Sequence, residues 1–108
     1  MAVVHEAGGL AVAAHIDRQA FGILGQLGFI PPGVRFDALE ISWREDLKGA
    51  SKRDPDHQGY AFITNSDAHY LEELGRCSTC YRMPGPAFHH LAAALAGRDG
   101  CGIEGSCP

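Results

Sequence analysis

Tyr60-Ala61-Phe62-Ile63-Thr64-Asn65-Ser66-Asp67-Ala68-His69 passes from an apolar run into two metal-binding side chains without a break. The portion from Tyr60 to Asn65 predicts a buried strand, being short, apolar and rich in aromatic and β-branched residues. Ser66-Asp67-Ala68-His69 then stands at that strand's C-terminal end. Folds that alternate parallel strands with helices collect their functional groups there. If the segment stays extended, residues two apart project to the same side, so Asp67 and His69 would face one metal cluster.

Working outward, Gly9 to Ile16 (GLAVAAHI) reads as another buried strand, with His15 near its C-terminal end. Asp17-Arg18 opens a segment with apolar residues at Phe21, Leu24 and Leu27, which predicts a helix of two to three turns closing near Gly28. Pro31-Pro32-Gly33 is a turn, and Phe36 to Ser42 (FDALEIS) a further strand. Trp43 to Gly59 is polar, with Asp54-Pro55-Asp56 at its middle, and fits either a short helix or a loop. Tyr70 to Gly75 fits one or two helical turns, and Thr79 to Met83 alternates like an edge strand. Ala87 to Gly97 is the clearest helix, preceded by Pro86 and stopped by Gly97. The glycine-rich tail from Arg98 is expected to be loosely ordered, which leaves residues 1–97 as the folded domain and 98–108 as an appendage. The order strand-helix-strand-loop-strand-helix-strand-helix argues for an α/β fold with mainly parallel strands.

With 108 residues, 45% of them hydrophobic and 20% charged, the chain has the profile of one folded domain and not that of a disordered segment. A net charge of -4, with Lys48, Lys52 and Arg53 as the densest basic group, gives no footprint for nucleic acid, and none is expected as a partner. A small anionic substrate would need a local positive centre against that field. The first residues, Met1 to Glu6, lack the cationic start of a signal peptide, and no apolar stretch approaches a membrane span. A cytoplasmic location is expected by default, and with it reduced thiols.

The chemistry-bearing candidates are therefore His15, Asp67 and His69, each at the end of an apolar strand. Imidazole with carboxylate suits zinc, manganese or iron, and such a centre activates water for attack on an ester. Each residue also has a plainer reading: a histidine on a buried strand is commonly a satisfied core group, and Ser-Asp before a helix is a common N-cap. Cys77-x-x-Cys80 with Cys101 and Cys107 supplies enough thiols for a structural zinc site, although the Cys101-x5-Cys107 spacing is unusual for one. The alternatives are reduced, unlinked thiols, or a Cys101–Cys107 or Cys77–Cys80 disulfide under oxidising conditions. His89-His90 adds donors on an Ala/Leu helix.

Gly8-Gly9-Leu10-Ala11-Val12-Ala13-Ala14-His15 and Asn65-Ser66-Asp67-Ala68-His69 resemble paired motifs of the PHP (polymerase and histidinol phosphatase) family, in the family's order. Ile16-Asp17-Arg18, Gln26 to Pro31 and Phe36 to Ser42 are similar to one bacterial subgroup of predicted PHP phosphoesterases. The resemblance implies a distorted seven-stranded β/α barrel with its metals at the strand C-termini, hydrolysing phosphoesters by metal-bound hydroxide. It places His15, Asp67 and His69 at metal-ligand positions and makes Arg18 a candidate phosphate contact, beside the reading of Arg18 as a solvated residue at a helix start. The family's N-terminal His-x-His motif is absent, and His5, the one histidine before His15, reads as a surface residue. The resemblance thus implies a partial barrel, the C-terminal half of the PHP domain. Such a half leaves open strand edges, so a homo-oligomer, or a partner chain that completes the barrel, is expected around a small phosphorylated substrate. A non-enzymatic binding or assembly module built on the same half barrel is the alternative.

Overall fold

The apolar runs become adjacent strands in the computed structural model, which describes residues 2–18, 22–42 and 59–107. Strands β1 (Val12–Ala13), β2 (Ala38–Ile41) and β3 (Phe62–Thr64) lie side by side in that order, both pairings parallel. Ala13 pairs with Leu39, which pairs with Phe62. Side chains alternate across a sheet, and here both faces are covered. Leu39, Ile41 and Phe62 pack with Ala11, Ile16 and Phe36 on one face, and Ile23 and Leu24 of helix α2 (Ile23–Leu27) close over them. Ala38 and Ile63 point the other way, onto Leu91 and Leu95 of helix α3 (Phe88–Ala96) and onto Ile103. The result is the expected α/β layering, with a parallel three-stranded sheet that does not close into a barrel among the described residues.

β1 is far shorter than the run Gly9 to Ile16 suggests, because the chain turns at His15 (φ 25°). It keeps contact with β2 beyond that turn, Ile16 N–H donating to the Glu40 carbonyl at 2.8 Å. α2 starts later than expected, while Tyr70 to Gly75 contains a single 3-10 turn, Leu71–Glu73. α3 ends where the sequence places its stop: Gly97 takes φ 66°, a left-handed cap that costs a residue without Cβ little. The polar segment 43–58 lies outside the described residues.

A short N-terminal helix, α1 (Ala2–Glu6), is docked through His5, whose Nε2 lies 2.8 Å from Asp37 Oδ2. The same carboxylate oxygen accepts the Ala11 N–H at 2.7 Å, which fixes the entry to β1. His5 is thus a half-buried tether and not simply a surface residue. Burial works to raise the Asp37 pKa, but the hydrogen bonds from Ala11 and His5 and the positive charge of His5 and Arg35 outweigh it, and the net shift is downward. A carboxylate with a lowered folded-state pKa contributes stability that is complete above its unfolded value and fades as pH falls through the folded one. We therefore expect the urea midpoint to drop on acidification below about pH 4, where carboxylates of ordinary pKa begin to protonate. In Asp37→Asn that acid-side slope should be shallower. A variant with the wild-type slope would remove Asp37 as its source.

Residues after Arg98 are not loose. Gly102–Ser106 forms β5, antiparallel to β4 (Thr79–Arg82), and Arg82 pairs with Glu104 across the ladder. Ile103 reaches the core, and Cys101 is buried with Ala93 and Ala94. The ladder also corrects the cysteine pairing. Thr79 lies opposite Ser106, and Cys107 N–H donates to the Ser78 carbonyl at 2.9 Å. That register brings Cys107 across from Cys80, and the two form a disulfide with Cα atoms 5.4 Å apart. Neither the Cys101–Cys107 nor the Cys77–Cys80 bridge forms, and among the described residues the thiols do not gather into a four-cysteine zinc site.

Candidate functional site at the strand ends

Three loops leave the C-terminal ends of β1, β2 and β3, and polar side chains bind them to one another. Glu40, near the end of β2, is the hub: its Oε1 accepts the His15 N–H at 3.1 Å and its Oε2 accepts Asn65 Nδ2 at 2.6 Å. Asp17 accepts the Ser42 N–H at 2.7 Å, tying the turn after β1 to the end of β2. Arg18 Nη1 lies 3.0 Å from Asp67 Oδ2, joining the first loop to the third. Gly22 seals the His15–Arg18 turn by close approach, since a Cβ there would lie 2.6 Å from the Arg18 carbonyl oxygen and 2.9 Å from that of His15.

His15 and Asp67 are thus at one end of the sheet, as their positions in the sequence predict. Both hold positive φ, 25° and 49°, a region costly for residues that carry a Cβ. Nδ1 of His15 is buried with no hydrogen-bond partner among the described residues. Leaving a buried polar nitrogen unpaired costs about 1–3 kcal/mol, so the arrangement calls for a ligand or a compensating role.

His69 departs from expectation. The inference that Asp67 and His69 face one cluster requires an extended segment, and the left-handed turn at Asp67 breaks that alternation. His69 is exposed; its N–H donates to Glu73 Oε2 at 2.7 Å, and its Nδ1 lies 2.8 Å from the Asp67 carbonyl oxygen. The Glu73 carboxylate is held below the usual range, first by that N–H, with Arg76 and the Tyr70 N–H adding to the effect against partial desolvation. Arg18 is neither on a helix nor simply solvated, being partnered by Asp67.

Glu40 was not singled out by the sequence reading, although a carboxylate inside an apolar strand, one residue from its end, was a signal. Its charge reaches Tyr81, whose phenol pKa is raised chiefly by burial and further by Glu40, against a hydrogen bond with Thr79. Among the described residues no three His, Cys, Asp or Glu side chains converge as a metal-binding group. The donors therefore fit a metal in chemical type, with His15 Nδ1 orphaned, but they compose only part of a coordination shell. No helix of the described residues is long and apolar enough to cross a membrane.

The family model described as PHP-associated matches residues 52–98, which include β3, the Asp67–His69 loop, β4 and α3. A search of curated protein sequences gives no match. Among solved structures, the chain is similar to the lesion-specific endonuclease PfuEndoQ from Pyrococcus furiosus, with a TM-score of 0.77 and 21% identity. The likeness covers 88% of this chain and 25% of that protein, so the present chain spans a quarter of its length. At that identity the likeness is one of fold. A PHP-associated segment at residues 52–98 and a fold similar to that structure are both in line with the resemblance read from the sequence.

Proposed function

We propose that this chain supplies one face of a metal-dependent phosphoesterase site, completed by groups from a second copy or a partner chain. The observation that carries the reading is the buried, unpartnered His15 Nδ1 at a strand C-terminus, linked by Glu40 and Asn65 to the Asp67 loop in a PHP-related fold. His15 and Asp67 would hold the ion, with His69 reaching it only if the turn at Asp67 rearranges. Zinc, manganese or iron suits this donor set and, when bound, supplies a Lewis acid and an activated water. Glu40 positions His15 through its backbone and keeps the two loops in register. Arg18 is the phosphate contact: a phosphate dianion of a small substrate and the Asp67 carboxylate would compete for the same guanidinium.

Elemental analysis after equilibration with zinc or manganese tests this directly. Bound metal should fall several-fold in the His15→Ala, Asp67→Ala double variant, and equal metal in variant and wild type would sink the proposal. A second reading, an assembly module without catalysis, is favoured by the β1 side of the sheet, which has no strand partner among the described residues and where Val12 is 39% exposed. Phosphomonoesterase activity that His15→Ala abolishes while the fold persists decides between the two in favour of the enzyme.

A further inference from the structure

At the strand ends the Asp17 and Glu40 carboxylates accept hydrogen bonds from neutral donors, Ser42 for the first, the His15 N–H and Asn65 for the second. Asp67 differs, because its Oδ2 lies 3.0 Å from Arg18 Nη1 and a full positive charge sits on a candidate metal ligand. Both ends of that pair are anchored. Arg18 N–H donates to the His15 carbonyl at 2.9 Å, and Asp17, its neighbour, is tied to the end of β2. On the other side, Ser66 Oγ accepts the Gly75 N–H at 2.9 Å, and Arg76 Nε donates to the Ser66 carbonyl at 2.8 Å. The residue before Asp67 is thereby held at both its side chain and its backbone.

The pair is anchored but not sealed, for the Arg18 side chain is 41% exposed and that of Asp67 23%. Dissolved ions can reach both partners, and each partner attracts the opposite kind of ion. A cation that binds Asp67 must displace the guanidinium, and a phosphate dianion that binds Arg18 must displace the carboxylate. Either event breaks the same contact, so the second ligand meets a side chain already released. Two ligands that each require one shared contact to open favour one another, and by the same factor in both directions.

Resting on the reading above, in which Asp67 holds the ion and Arg18 the phosphate, we propose that the Arg18–Asp67 pair is a latch that couples the two ligands. Without either of them, Arg18 covers the carboxylate that a divalent cation would use, and Asp67 covers the guanidinium that a phosphate would use. The site thereby favours a cation and a phosphate group together over either one alone. An ion pair as exposed as this one corresponds to a factor of about two to five in affinity.

The test measures binding of manganese and of methylphosphonate to the intact chain, with a protein-free control for their pairing in solution. In wild type, methylphosphonate should tighten manganese binding by about threefold. Arg18→Gln should bind manganese about threefold more tightly than wild type when no phosphonate is present, and phosphonate should then add little. Equal manganese affinity in wild type and Arg18→Gln overturns the latch and leaves the phosphoesterase reading standing. So does an enhancement by phosphonate as large in the variant as in wild type, because the anion would then act through the metal alone. No manganese bound by either form sinks the phosphoesterase reading and the coupling with it. With metal omitted, Asp67→Asn should bind methylphosphonate about threefold more tightly than wild type, and the gain should vanish in the Arg18→Gln background. A gain that persists in that double variant reflects overall charge and overturns the pair as its source. No response of metal-free Asp67→Asn to phosphonate overturns Arg18 as the anion's contact.

Discussion

Replacing Cys80 and Cys107 together by serine is expected to lower the stability of the domain by about 3.5 kcal/mol, the loop-closure estimate for a bridge spanning 27 residues. The bond closes the segment that contains β4, α3 and β5, and without it that segment gains chain entropy when unfolded. Against a total of about 5–15 kcal/mol for an average domain, the loss is large. Urea unfolding of the oxidised wild type beside the double variant measures it, and a midpoint within error of wild type would show that the β4–β5 ladder is self-sufficient. Hydrogen exchange should localise the effect, with amides of Gly102–Ser106 losing protection before those of β2. A reducing compartment opens bonds of this kind, so the same difference separates the two redox forms of the chain.

Leu39→Ala should cost about 3 kcal/mol, the middle of the range for a fully enclosed leucine. Leu39 has no exposed surface, sits on the central strand and touches neighbours from both flanking strands. Its removal leaves a void that a three-stranded sheet covered on both faces has little freedom to collapse. Leu71→Ala is the matched control, since its side chain is 83% exposed and its loss should change stability by no more than about 0.5 kcal/mol. Equilibrium unfolding of both variants gives the comparison. A Leu39→Ala penalty as small as that of Leu71→Ala would place the core elsewhere.

What the sequence disclosed, and what it withheld, follows from the range of the interactions involved. The apolar runs around Ala13, Leu39 and Ile63 reveal strands because burial on both faces leaves a local signature. His15 and Asp67 could be placed at strand ends because the apolar run simply stops before them. The direction of His69 was hidden, for it depends on a left-handed turn at Asp67 that no local pattern requires of an aspartate. β5 was hidden too: Gly-Ile-Glu-Gly-Ser has weak strand propensity and exists as a strand through its pairing with β4, a contact made far along the chain. The Cys80–Cys107 bond follows from that register, so it was legible only once the register was known. Glu40 was present in the strand as an unexplained charge, and its role emerges only when the first and third loops arrive beside it.

The outer side of β3 ends on a hydroxyl. Thr79 Oγ1 accepts the Thr64 N–H and donates to the Thr64 carbonyl, both at 2.8 Å, and β5 packs alongside. A single side chain there satisfies two groups that a fourth strand would otherwise claim. The two edges therefore differ: among the described residues β1 has no strand partner on its outer side, whereas a strand added beside β3 would have to displace Thr79. Pairing of two such sheets through their β1 sides would cover the edges left unpartnered among the described residues, while the Thr79-capped edges would stay closed to further growth.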